Sequence, residues 1–262
     1  MKRKSQKIVI FLSVVVFGLF ALLFIAPVIM TLAESFRFEG MFSLERYKRL
    51  LFNCFDFYPV FWNSVLYGVS ITLLQLVIAI PCGFSFCTAN FKGKRILFVC
   101  YIILMMMPLQ VTTLPNYLGL RDMGLINTRA GIILPMIFSP FGVVIMHQYM
   151  TSLNTGIIEA ARLETSSVIR IILSIIVPQI KVCILAVAVF VFAEAWNMLE
   201  QPMLFLKEIK LQNLTVLISK AEQYEEGVMQ AASVLFIIPV YFVYRLFHES
   251  LEKGLYFGNL KH

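Results

Sequence analysis

The stretch EAARLETSSVIRIILSIIVPQIK, residues 159–181, lies between two long apolar runs, and its reading decides the fold. Its start reads as a surface helix: Asn154 or Thr155 stands where an N-cap belongs, and Glu159 falls near the positive helix N-terminus. Thr165, Ser166 and Ser167 break that helix and can cap a second one. Apolar residues then recur at Ile169, Ile172, Leu173 and Ile176, the i, i+3, i+4, i+7 spacing of one buried face. Pro178 is expected to end the helix, and Lys181 is placed to reach a membrane surface. On spacing alone the pair is either an amphipathic element resting on a bilayer or one against which another protein docks.

Outward from this segment the chain is apolar. Of its 262 residues 60% are hydrophobic and 14% charged, and the mean hydropathy is +0.84. A soluble domain carries about 25% charged residues, so this composition indicates an all-α, polytopic membrane protein. Six spans are expected, at 8–33, 62–87, 96–118, 131–150, 182–206 and 228–247, joined across 151–181 by the helix pair. The opening MKRKSQK precedes an apolar run of 26 residues, Ile8–Ala33. That exceeds the ~7–15 residues of a signal peptide's apolar core, so it reads as an uncleaved first span.

With the N-terminus inside, the inner segments hold thirteen basic residues against four acidic, whereas the outer loops balance nine against nine. The positive-inside rule therefore puts both termini in the cytoplasm. The basic excess is a matter of topology and indicates no nucleic-acid partner. The five cysteines show no metal spacing and read as reduced packing residues, and His147, His248 and His262 are scattered singly. No P-loop, H-E-x-x-H or G-x-S-x-G motif occurs, so energy for any driven process must come from another chain or an ion gradient.

The order E-A-A, three residues, a turn residue, nine residues, I-x-L-P is matched by Glu159, Ala160 and Ala161, then Thr165, then Ile175, Val177 and Pro178. Together with NFKGKRILF (90–98), NYLGLRDMGLINTRAGIILP (116–135), FAEAWNMLEQPMLFL (192–206) and MQAASVLFIIPVYFVYRLF (229–247), it resembles the carbohydrate-class permeases of ABC importers. Within that class the chain is similar to the smaller six-helix subunit of the maltose-type importer. The resemblance implies the type I importer permease fold in a single domain, 1–262. It also implies a non-catalytic subunit without a cofactor, working beside a second permease, an extracytoplasmic solute-binding protein and a cytoplasmic ATPase dimer that binds ATP and Mg. Glu159, Ala160, Ala161, Glu164, Thr165 and Pro178 would form the element that docks into the ATPase. Thr165 stands where the family has glycine, and a β-branched residue resists φ > 0.

The candidate translocation residues come from spacing. Glu194, Asn197 and Gln201 fall at i, i+3 and i+7 of the fifth expected span, with Trp196 and Glu200 pointing away. Glu194 lies about 18 Å along that span, near mid-bilayer, where a carboxylate facing lipid costs on the order of a few kcal/mol. It should therefore face a solute path or pair with the second permease. A gradient-driven carrier using Glu194 as a proton relay is the alternative, as is a membrane enzyme, although no catalytic constellation supports the latter.

Overall fold

The computed structural model describes residues 2–153, 155–225 and 227–257, so Asn154, one of the two expected caps, lies outside the described residues. Among the described residues four helical stretches are long and apolar enough to cross a membrane: Leu12–Ser35, Phe57–Thr88, Arg129–Thr151 and Val228–His248. Two bent helix pairs, Lys94–Met106 with Leu109–Asp122 and Val168–Gln179 with Lys181–Asn197, bring the number to six if each counts as one span. The chain packs as two compact units, one of residues 1–57 and 218–238, the other of 58–217 and 239–262.

In the first unit, α1 (Lys2–Ser35) leads into a hairpin of β1 (Arg37–Phe38) and β2 (Met41–Phe42). Its turn residues Glu39 and Gly40 both take positive φ, +50° and +80°, as a twisted two-residue turn requires. Helix α2 (Glu45–Lys48) continues into a π turn at Arg49–Asn53. Arg49 lies over the Phe38 ring at 4.5 Å and pairs with Glu225. The Tyr224 hydroxyl donates to Asp56 at 3.3 Å, and burial, with the Asp56 carboxylate adding to it, pushes that hydroxyl up to about 12.

The second unit carries α3 (Phe57–Thr88), α4 (Lys94–Met106), α5 (Leu109–Asp122), α6 (Arg129–Ile137) and α7 (Pro140–Thr151). It continues with α8 (Thr155–Glu164), then α9 (Val168–Ile171) and α10 (Val177–Gln179) joined by a π turn at Ile172–Ile176. Next come α11 (Lys181–Asn197), α12 (Glu200–Phe205) and α13 (Leu214–Ser219), whose last two residues belong to the first unit; α14 (Val228–Phe257) starts in the first unit and from residue 239 belongs to the second. Helix α7 is central, packing on α4 and α11. Small residues let it meet α3 backbone to backbone: a Cβ on Gly83 would sit 2.8 Å from Met146 Cβ and 3.0 Å from the His147 nitrogen. A Cβ on Gly142 would meet Ala79 at 3.0 Å. In a bilayer, where apolar burial between helices gives little, such close approach is a principal source of attraction.

Two expected spans are corrected. The stretch 96–118 is no single helix: it breaks at Met107–Pro108 with a bend of 104°. Proline there has no N–H to continue the ladder, and it drives the preceding residue into extended backbone, φ −71°, ψ 130° at Met107. The stretch 182–206 likewise ends at Asn197, where Met198 turns extended before α12 begins. The second break is locked in place by Asn213, whose amide donates to the freed Met198 carbonyl at 2.6 Å, and by Thr215, which donates to Trp196 O at 2.9 Å.

Residues 207–217, between the fifth and sixth expected spans, are tied down by side chains. Asn63 donates to the Lys210 and Gln212 carbonyls, Tyr67 to the Leu211 carbonyl, and Ser64 accepts from Leu214 N at 2.7 Å. Asn127, at φ +62°, accepts from the Lys207 and Glu208 amides and donates to the Glu208 carboxylate at 2.9 Å.

Candidate functional site

The first site is the surface helix pair. Helix α8 seats Ile158 and Ala161 in the core of the second unit, at 7% and 3% exposure. Glu159, Ala160 and Glu164 remain exposed, as does Pro178 on α10. The structure thus divides the six expected residues. Ala161 supports the helix from beneath and cannot meet a docking partner, which corrects the expected Ala160–Ala161 face. Thr165 solves the missing glycine without positive φ: its N–H donates to Ala161 O at 3.0 Å, and its hydroxyl accepts from Ser167 N at 3.2 Å. The hydroxyl turn replaces the left-handed one. Ser167 then caps α9, accepting from Arg170 N at 3.4 Å.

The expected stripe also moves. Ile172 and Ile176 are buried, but Ile169 and Leu173 are 70% and 62% exposed, and Ile171 and Ile180 take their places. The π turn at Ile172–Ile176 adds a residue to the turn and rotates the faces. The helix also runs to Gln179, one residue past Pro178. Spacing missed Leu163, which is 92% exposed between Arg162 and Glu164. Its signal was its place one turn after Glu159 and Ala160.

The second site is a groove of about 630 Å³ where three helix breaks meet: α4 to α5 at Met107, α6 to α7 at Phe138–Ser139, and the end of α11 with the start of α12. Glu194 and Gln201 line it, opposite Thr112, Asn116 and Ser139. An adjoining hollow of about 370 Å³ shares both residues and adds Asn197 and Glu200. Glu194, Asn197 and Gln201 therefore border one continuous concavity, although the helix expected to carry all three is broken between the second and third. The break swings Glu200 in as well, contrary to expectation, and its carboxylate accepts from Gln110 Nε2 at 3.1 Å. Trp196 does point away, fully buried. Glu194 lies one turn before the end of α11 rather than midway along a continuous span. Asn197 Nδ2 turns back to Ala193 O at 2.8 Å, leaving its amide oxygen to the groove. Spacing missed Ser139 and Asn116, whose only sequence signal was polarity inside apolar runs. Broken helices around a polar concavity are how membrane transporters line a path, because irregular backbone at that depth needs water or a solute beside it.

Residues 75–255 match the family described as the inner membrane component of binding-protein-dependent transport systems. The chain belongs to that family. The permease is 28% identical over 222 residues, 84% of its own length and 79% of the relative's, to the arabinooligosaccharides transport system permease protein AraQ of Bacillus subtilis. It is 25% identical over 199 residues, 74% of its length and 71% of the other's, to the sn-glycerol-3-phosphate transport system permease protein UgpE of Brucella abortus. Its backbone matches a chain of a bacterial ABC transporter involved in import of the acidic polysaccharide alginate, with TM-score 0.83 and 21% identity over 94% of this permease and 98% of that chain. The fold is that of a type I ABC importer permease. Membership sets aside the gradient-driven carrier and the membrane enzyme, and it makes the chain a transporting rather than a catalytic subunit.

Proposed function

We propose that the chain, as one domain of residues 1–262, is a permease subunit of an ABC importer for a sugar or oligosaccharide. It forms half of the translocation path beside a second permease. An external solute-binding protein delivers the solute, and a cytoplasmic ATPase dimer holds ATP and Mg; this chain needs no cofactor of its own. Both termini lie in the cytoplasm, which puts α8–α10 on the inner face. Glu159, Ala160 and Glu164 meet the ATPase there, with Leu163 as the apolar contact. Ala161, Thr165 and Pro178 hold that surface in shape.

The observation that carries this reading is the groove at the three helix breaks. Its carboxylate, amide and hydroxyl groups exchange hydrogen bonds with sugar hydroxyls, while no one strong contact would trap the solute. Glu194, Asn197 and Gln201 are the path residues. The test is sugar uptake by vesicles holding the complete importer. Glu194→Gln should retain uptake, and Glu194→Leu should lose most of it while the complex still assembles and hydrolyses ATP. If Glu194→Leu instead prevents the two permeases from assembling, the residue joins subunits and the path assignment fails.

A further inference from the structure

The charge of the groove selects the solute. Two carboxylates, Glu194 and Glu200, border it, and no Lys, Arg or His is among the residues that line either part. Neither carboxylate has an ion-pair partner among the described residues. Glu194 and Glu200 are thus the charged side chains among the residues that line the groove, and they set its sign. The field in the concavity is negative, and the apolar walls supplied by Met107, Met136 and Phe138 keep it from being screened.

A second observation points to the ligand. Gln201 is only 4% exposed and lines both parts of the groove, yet its amide has no hydrogen-bond partner among the described residues. An amide that opens only onto a cavity takes its hydrogen bonds from whatever fills that cavity. A hydroxyl does so from either side, accepting from the amide N–H or donating to its oxygen. A carboxylate or phosphate would satisfy the N–H alone and would lie beside two like charges.

We infer that this groove passes uncharged polyhydroxylated solutes and turns anions away. The inference rests on the groove being the path, and it goes further by fixing the charge class. The relatives do not choose here, since they span an arabinooligosaccharide system, an sn-glycerol-3-phosphate system and an importer of the acidic polysaccharide alginate.

The test places a thiol in the groove of the complete importer by Ser139→Cys, a small change at a residue whose hydroxyl makes no cap bond. Cationic and anionic methanethiosulfonates of matched size are then applied, and the parent chain's own five cysteines give the background. Relative to a free thiol in solution, the cationic reagent should react at least roughly tenfold faster than the anionic one, because both carboxylates act on it at short range. Glu194→Gln and Glu200→Gln, singly and together, should bring the ratio back toward one. Equal rates, or a faster anion, at a thiol that both reagents reach would overturn the charge inference and leave the path reading standing. A thiol that neither reagent reaches in any nucleotide state would remove the path reading, and the inference with it.

Discussion

Leu163 gives the sharpest test of the docking surface. It stands 92% exposed on α8 and is not part of the packed core among the described residues. Leu163→Ala should therefore leave the permease as stable as before, within about 0.5 kcal/mol, since surface changes rarely cost more and alanine favours a helix. If the ATPase covers the side chain, three buried carbons are lost from the interface. At about 0.8 kcal/mol per carbon this comes to about 2.4 kcal/mol, or a roughly 60-fold weaker complex. The measurement is a titration of the purified ATPase onto immobilised permease pair in detergent, with thermal unfolding of the permease alone as the control. An affinity within about threefold of the parent chain, roughly 0.6 kcal/mol, would refute the assignment of Leu163 to the contact.

Other substitutions probe the frame behind the sites. Ala161→Trp, at a position 3% exposed, should lower expression and thermal stability by overpacking the core instead of selectively uncoupling the ATPase, and a normally folded, uncoupled variant would contradict the packing seen here. Gly83→Ala should destabilise by about 1–3 kcal/mol because its Cβ meets Met146 and the His147 backbone. Gly119→Ala on α5 meets nothing within 4 Å and should stabilise by up to about 1 kcal/mol, so thermal unfolding of the pair should move in opposite directions. Asn127→Ala loses three hydrogen bonds and leaves a side chain at φ +62° without them, for about 2 kcal/mol or more. Asn127→Gly should recover part of that, which limited proteolysis at 207–211 can read.

Much of the fold was legible because a hydrocarbon core demands runs of a set length, and those runs are plain in the sequence. The breaks were harder. Pro108 announced one, but Met198 adopts extended backbone only because Asn213 and Thr215, distant in sequence, receive the released carbonyls. Periodicity found the candidate carboxylate and amides and misjudged Glu200, since a face computed for an unbroken helix does not survive the break. The stripe at Ile169 and Leu173 failed for another reason: in a membrane protein apolar side chains face their own chain, a subunit or lipid alike, so spacing shows a face without naming what covers it. The Thr165 turn could have been anticipated, because threonine two residues before Ser167 supplies a hydroxyl for the turn amide.

The break at Met107–Pro108 also bears on how the chain enters its membrane during synthesis. Helix α4 has 13 residues, about 20 Å, well short of the ~30 Å hydrocarbon core. Helix α5, with Gln110, Thr112, Thr113 and Asn116, is too polar to insert unaided. Neither half can settle in lipid as an independent early intermediate. Their insertion must wait for α6 and α7, whose packing against α4 gives the half-helix a protein surface in place of lipid. The polarity that lines the groove thus makes the third span depend, at birth, on the fourth.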